Sequence, residues 1–558
     1  MRWRKILGEL HVPIHPRQRG SVKPGSGLIA MRAPFSRTMF ELLDEQAQRA
    51  PGTLAVLSGD ISLTYAQLAE RARRAASVLS GLGVRRGERV GLLINNRPEW
   101  LELAFGAWLL GATVAPFSTW STQPELAFLL DDSLVCALVC LPTFGREDFA
   151  AMMQKRMPGE FPALRSIMML DGGGGFTDYA TARDAAEPMG DLAPGDGSSA
   201  SDEAIILYTS GSTSKPKAIA LAHYLVIENG FNIGERQGLS EHDRVLLSPP
   251  LFWAYGGVNA LPASFTHGAA LVLQGRFEAG EALDLIERHQ CTSIYTLPGM
   301  TEAMINHPAF RRERTRSLRL GMTIGSPQDV IRASVELGAT GVCNVYGSSE
   351  TGGNCCVTWH DMPLDKRASC QGPPLPGVQM RIVDEVTGAV LGHGKEGQLQ
   401  VRGPYVMRGY INASAVHNAA NFTGDGWFRS GDVGLLDADG CFVFHGRTTE
   451  MIKRAGINVS PAEVEDVLLQ HTGVAQAGVV GVEGDRGEVI VAFVVPRDVA
   501  PSAAELVAHC RKLSSSYKVP DRFEIVEKLP ATVTGKVMRR DLKAAAVALL
   551  AKPVAALS

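Results

Sequence analysis

The sequence predicts an α/β protein of more than one domain, with a large N-terminal body of parallel-rich sheets, a β-rich portion and a smaller α+β C-terminal segment. Three observations predict it. The chain has 558 residues, more than one hydrophobic core ordinarily covers. Short apolar runs alternate with helix-length amphipathic ones, the pattern of parallel strands joined by crossover helices. After Gly377 that alternation gives way to short strand-like runs separated by turns.

The elements follow in order. Residues 1–37 are rich in Arg, Pro and Gly and are expected to form a loosely ordered basic extension; no apolar stretch follows Met1 to make a secretory signal. Phe40–Ala50 is amphipathic, and Leu63 opens a longer helix through Leu82. Arg89–Ile94 reads as a buried strand, 96–110 as a helix and 112–116 as another strand. The apolar run from Trp100 to Phe117 is marginal in length for a membrane span and contains Glu102, so it reads as a buried helix. Residues 171–201, rich in Gly, Asp and Ser, read as an exposed connection. Val378–Val383, Gly397–Arg402 and Cys441–Phe444 form the β-rich portion. Beyond Thr448, Pro461 is placed to open a helix, and Ala475–Val482 and Val489–Val495 read as strands.

Composition narrows the function. Apolar residues make up 45% and charged residues 20%, as in globular proteins, and the formal net charge of −3 gives no electrostatic reason to expect nucleic acid. No stable membrane insertion is expected. Nine cysteines without paired metal-ligand spacing read as buried free thiols in a reducing, cytoplasmic setting.

The most informative stretch is Tyr208–Lys217, YTSGSTSKPK. The strand-like run 204–207 precedes it, and the helix-like apolar run 218–226 follows. Thr209, Ser210, Gly211, Ser212, Thr213 and Lys217 supply hydroxyls, backbone N–H groups and charge suited to a phosphate. By itself such a loop reads equally well as a solvent-facing turn, and it lacks the Walker A pattern. Its companions are Tyr346–Gly352 (YGSSETG), Trp427–Asp432 (WFRSGD), Gly446–Arg447 and Leu529–Arg539 (LPATVTGKVMR).

In this order and spacing the motifs resemble the adenylate-forming superfamily of acyl-CoA synthetases, peptide-synthetase adenylation domains and beetle luciferases. The resemblance runs from about Phe40 to Lys543. It implies a large adenylation domain over 38–447 and a small mobile domain over 448–558, with a hinge near Thr449. It also implies ATP, Mg2+ and coenzyme A. The reaction implied is activation of a carboxylic acid to acyl-adenylate with release of pyrophosphate, followed by transfer to CoA. A dedicated adenylating enzyme, passing its acyl-AMP to a carrier protein or a separate transferase, is the alternative.

Residue by residue, the resemblance makes the loop 209–217 the triphosphate holder. Tyr346 becomes the adenine platform, with Gly347 leaving room for backbone approach. Ser349 contacts the α-phosphate, Glu350 binds magnesium, and Gly325, Ser326 and Pro327 border the base. Asp432 accepts ribose hydroxyls, Arg447 touches the nucleotide, and Lys536 is the catalytic lysine. Gly456 lines the thiol tunnel. Trp253, Tyr255 and Gly256 lie in the acyl-pocket segment, with Trp253 at the aromatic gate. No Asp occurs in 250–257 to pair an α-amine, which argues against an amino-acid substrate. Ser214, Ala218 and Thr449 depart from the superfamily's usual residues and put the loop path and hinge energetics in question.

Overall fold

The computed structural model describes residues 37–156, 160–193, 195–209, 216–325, 327–384, 387–447, 452–454, 457–459, 461–484, 487–497, 499–530 and 538–550. Two large sheets form the N-terminal domain. The eight-stranded sheet runs across in the order Cys356–Val357, Gly341–Tyr346, Leu320–Thr323, Ser293–Tyr295, Arg244–Leu247, Ala270–Leu273, Leu54–Ser58 and Ile61–Thr64. All its internal pairings are parallel, and only the two edge strands run against their neighbours. The seven-stranded sheet is likewise parallel except for its edge strand Lys217–Ala222. Burial on both faces explains the continuous apolar runs along these strands.

Local chemistry sets the helix boundaries. Thr38 caps Met39–Arg49, and Glu41 returns its carboxylate to the Thr38 N–H at 2.7 Å. The next helix is Tyr65–Gly81 and does not start at Leu63. The Thr64 side chain takes the Gln67 N–H and ends a strand in which Leu63 is buried. Pro98–Leu109 is a core helix. Its fully buried Glu102 is compensated by Arg71 and Arg183, both at 3.0 Å, and by the Tyr179 hydroxyl at 3.0 Å. Tyr179 and Arg183 belong to a helix, Tyr179–Ala185, inside the stretch expected to be only an exposed connection. Asp178 caps that helix through the Thr181 N–H. Among the described residues, no helix is long and apolar enough to cross a membrane.

A five-stranded antiparallel sheet follows, in the order Val390–Leu391, Gln379–Val383, Gly397–Arg402, Phe428–Leu436 and Phe442–Arg447. The small C-terminal domain is built on Val474–Gly484, Gly487–Pro496 and Arg522–Ile525. Alternation along its strands divides its core. Val479, Ile490, Ala492 and Val494 pack with Leu468 and Leu506, whereas Val480, Val482, Val491 and Phe493 pack with Leu529, Leu542 and Ala546. Pro461 opens the helix Pro461–Leu469, as its sequence position predicts. All nine cysteines are free and buried, and burial pushes the thiols of Cys291 and Cys343 up to about 12.

Candidate active site

The site is built where strands of the eight-stranded sheet end. Gly341–Tyr346 is buried along its whole length and delivers Tyr346 at its carboxyl end, the usual place for a ligand crevice in a parallel sheet. The neighbouring strand Leu320–Thr323 ends just before Gly325 and Pro327. The antiparallel sheet brings Asp432 against Tyr346, and the phenol donates to Asp432 Oδ2 at 2.5 Å. Asp432 is only 2% exposed. Its N–H donates to Ser430 Oγ at 3.1 Å, and that hydroxyl donates to the Leu399 carbonyl at 2.8 Å. The Tyr346 ring meets Phe442 edge-on at 4.6 Å and stacks on Phe444 at 5.8 Å. Burial, then the Asp432 charge, pushes the phenol well above the ordinary tyrosine range, so it stays a donor. Arg447 pairs with Asp432 through the strand register.

A second group gathers beside this floor. Thr209 ends the strand Glu203–Thr209 and lies opposite Lys217 in an antiparallel register. The segment after the loop is therefore a strand, Lys217–Ala222, with the helix His223–Gln237 only beyond it. This corrects the helix expected over 218–226. The loop therefore joins two antiparallel neighbours. Thr209 Oγ1 is buried with no hydrogen-bond partner among the described residues. Glu350 lies in the short turn Ser349–Thr351, and its Oε1 accepts the Tyr410 hydroxyl at 3.0 Å. The Lys217 ammonium sits 4.9 Å from the centre of the Tyr410 ring. Burial lowers the Lys217 pKa, and Glu350 opposes that shift. Backbone bonds fix the arrangement: the Met407 N–H donates to the Glu350 carbonyl at 2.7 Å, and the Ile411 N–H to the Ala218 carbonyl at 2.9 Å.

Tyr410 is the residue that sequence reasoning missed. It follows Gly409 in a stretch with no cluster of charged or hydroxyl side chains to mark it. The room that Gly347 keeps free is used by the chain itself, because a side chain there would stand 2.0 Å from the Gly353 carbonyl. Gly256 is similar, its missing side chain replaced by the Pro250 carbonyl at 2.2 Å.

The acyl-pocket segment forms a π-helical turn, Ala254–Ala260, directly after Trp253. Such turns are frequent at functional sites. Tyr255 is buried, its hydroxyl 3.3 Å from the Thr296 carbonyl and its ring 5.1 Å from Tyr295. At the far end of the turn, Asn259 Nδ2 donates to the Gly352 carbonyl at 3.3 Å, joining this segment to the turn that carries Glu350. Trp253 is half-buried and meets Trp120 edge-on at 5.1 Å. Ser210, Gly211, Ser212, Thr213, Ser326, Thr449, Gly456 and Lys536 lie outside the described residues, as does the side chain of Arg447.

A buried tyrosine at a strand's carboxyl end, hydrogen-bonded to a carboxylate from the antiparallel sheet and accompanied by a lysine, a hydroxyl without a partner among the described residues and a second carboxylate, suits a nucleotide-handling α/β enzyme. The family described as AMP-binding enzyme matches residues 43–411, and its C-terminal domain matches residues 463–536. The chain belongs to this family. It is 32% identical over 503 residues to a feruloyl-CoA synthase of Amycolatopsis sp, covering 89% of this chain and 97% of that one. Among solved structures, it resembles o-succinylbenzoate CoA synthetase of Bacillus subtilis, with TM-score 0.78, 27% identity, and coverage of 91% of this chain and 99% of that one. It also resembles the amide bond synthetase McbA of Marinactinospora thermotolerans, with TM-score 0.79, 27% identity, and coverage of 90% and 99% respectively.

Proposed function

We propose that this enzyme activates a bulky, apolar or aromatic carboxylic acid with ATP and then passes the acyl group to coenzyme A. A carboxylate oxygen of the acid attacks the α-phosphorus. The bond to the bridging oxygen breaks, and pyrophosphate leaves. The thiol sulfur of CoA then attacks the acyl carbon, the carbon–oxygen bond to AMP breaks, and the thiol proton is released. The observation that carries the nucleotide half is the buried Tyr346–Asp432 pair, 86 residues apart in sequence. Asp432 accepts the ribose hydroxyls and Tyr346 faces the base.

Lys217, Thr209 and the hydroxyls of Ser210, Ser212 and Thr213 hold the phosphates. The Glu350 carboxylate, held by Tyr410, is a hard oxygen donor that would hold Mg2+, and the ion would supply charge neutralisation when bound. Lys536 neutralises charge on the attacking and α-phosphate oxygens. Trp253 closes the acid pocket. Rotation near Thr449 exchanges Lys536 for the Gly456 loop between the two steps.

A second reading keeps adenylation but gives the acyl-AMP to an acceptor other than CoA. It is favoured by the likeness to an amide bond synthetase and by the departures at Ser214, Ala218 and Thr449. One experiment separates them: pyrophosphate release across benzoate, phenylacetate, ferulate, octanoate, acetate and phenylalanine, with and without CoA. Aromatic or medium-chain acids should lead, and CoA should convert the bound acyl-adenylate to thioester. Accumulated acyl-AMP with no thioester from the best acid selects the second reading, and no pyrophosphate release with any acid rejects both.

A further inference from the structure

The face of the large domain beside Trp253 carries the small domain on a set of contacts that no motif marks. Thr122 caps the helix Gln123–Ser133, and Glu125 returns to the Thr122 N–H at 2.8 Å. A capping-box carboxylate ordinarily leaves its remaining acceptor capacity to water. Here Glu125 Oε1 takes the Lys518 ammonium at 2.9 Å, and Glu125 Oε2 lies 3.0 Å from Ser515 Oγ. Ser515 Oγ is also 2.9 Å from the Trp120 carbonyl, and Thr122 Oγ1 donates to the Leu513 carbonyl at 3.1 Å. The Lys518–Glu125 pair is largely shielded, with side chains 9% and 16% exposed, so removing either partner would leave a largely desolvated charge unpaired.

The aromatic rings run through the same place. Trp120 meets Trp253 edge-on at 5.1 Å and Phe252 at 5.6 Å, and on its other side it meets Tyr517 at 6.3 Å. Trp120 is thus the only ring among the described residues that touches both the gate tryptophan and a ring of the small domain.

We propose that Trp120 is a positioning residue that couples the gate Trp253 to the small domain through Tyr517, with Glu125 as the seat that holds Ser515 and Lys518 in register. The fit of the acid and the placing of the small domain are then one equilibrium. A small domain seated on Glu125 braces Trp120, and Trp120 braces the gate. An acid that displaces Trp253 loosens the seat. The proposal deepens the acid-gate reading of Trp253 and rests on it.

The test uses the full chain, the best acid of the panel, and two readouts: acid-dependent pyrophosphate release and thioester formation with CoA. Tyr517→Ala lies in the small domain, yet it should raise the KM for the acid about three- to tenfold, the range of one edge-on aromatic contact, while the KM for ATP stays put. Trp120→Ala should do the same or more, and Trp120→Phe should recover most of it. The Trp120→Ala, Tyr517→Ala double variant should be no worse than Trp120→Ala alone, since the two act through one contact. Glu125→Gln should change the ratio of the two half-reactions. Trp253→Ala is the reference for the gate itself. If Trp253→Ala alters the acid profile but Tyr517→Ala leaves the acid KM at the wild-type value, or if the two variants multiply, the coupling is wrong and the gate stands. If Trp253→Ala leaves the profile unchanged, the gate reading falls and the coupling with it.

Discussion

The proposed nucleotide floor and the proposed acid gate are built differently. The floor is closed by strands of the large domain alone. Tyr346 and Asp432 are buried, hydrogen-bonded to each other and backed by Phe442 and Phe444. The gate is a half-buried tryptophan whose neighbours include a ring that also meets the small domain. The difference teaches where constancy and variation reside. A buried hydrogen bond between two sheets tolerates little change, because leaving either partner unsatisfied is costly. Edge-on aromatic contacts at a domain junction are weaker and can repack, which is what the proposed acid gate requires.

The largest effect should come from Lys536, the lysine that the proposed function assigns to the chemistry itself. Lys536→Ala should lower the rate of acyl-adenylate formation by about 10²–10³ or more, the range for a preorganised transition-state donor, with ATP affinity little changed. Pyrophosphate exchange measures it, and an exchange rate close to wild type would remove Lys536 from the chemistry. Thioester formation from supplied acyl-adenylate should be far less affected, which separates the two steps.

Asp432→Ala strikes the floor directly. It should weaken ATP binding by roughly 1–3 kcal/mol, or about five- to 150-fold, and narrow the preference for ATP over 2′-deoxy-ATP. Competition binding with both nucleotides reports it. If the variant binds ATP normally and still rejects the deoxy analogue, the carboxylate serves only Tyr346.

Acid should damage both regions together, through the frame beneath them. His223 is fully buried, its Nδ1 accepts the Met39 N–H at 3.1 Å, and burial lowers its pKa to about 3. The folded state holds the ring neutral, while the unfolded chain takes up a proton below its ordinary pKa of about 6.5. The stabilisation is therefore complete above that value and is lost as the pH falls toward the folded pKa. Going from about pH 7 to about pH 5 should remove on the order of 2 kcal/mol. Urea midpoints at the two pH values should show it, and His223→Gln should flatten the difference; an equal slope in the variant would assign the acid sensitivity elsewhere.

Tyr410→Phe is the mildest. It keeps the ring under Lys217 and removes the hydroxyl on Glu350. The loss should be about 1 kcal/mol, seen as about a fivefold higher Mg2+ requirement for adenylation, with the acid KM unchanged. A titration of rate against Mg2+ at saturating ATP checks it, and an unmoved Mg2+ midpoint would leave Tyr410 as packing alone.

Much of the fold was legible. Gly397–Arg402 is one of the strands predicted for the β-rich portion, and Pro461 starts its helix. The misreadings have physical causes. Lys217–Ala222 is short and apolar without a helical or strand period of its own, and its pairing with Glu203–Thr209 decided it. Thr64 looked like a residue inside a helix, yet its hydroxyl caps the helix that follows. Glu125 went unmarked in the sequence and is both the return partner of a helix cap and a contact of Ser515 and Lys518. Tyr410 is one of ten tyrosines, and only the fold lays its ring under Lys217 and its hydroxyl on Glu350.

The sequence by itself determined the class of chemistry. Motifs are local, and a hydroxyl-rich loop, a Tyr-Gly pair and a Ser-Gly-Asp run keep their chemical character whatever surrounds them, even though the last, expected as a tight turn, lies within the strand Phe428–Leu436. The tertiary structure alone decided which residues meet: Tyr346 with Asp432, Tyr410 with Lys217 and Glu350, Trp120 with Trp253 and Tyr517. Those meetings depend on strand register and sheet order across long separations, and on how the small domain seats on the large one. No local propensity encodes either, because the energy that fixes them is spread over whole buried faces.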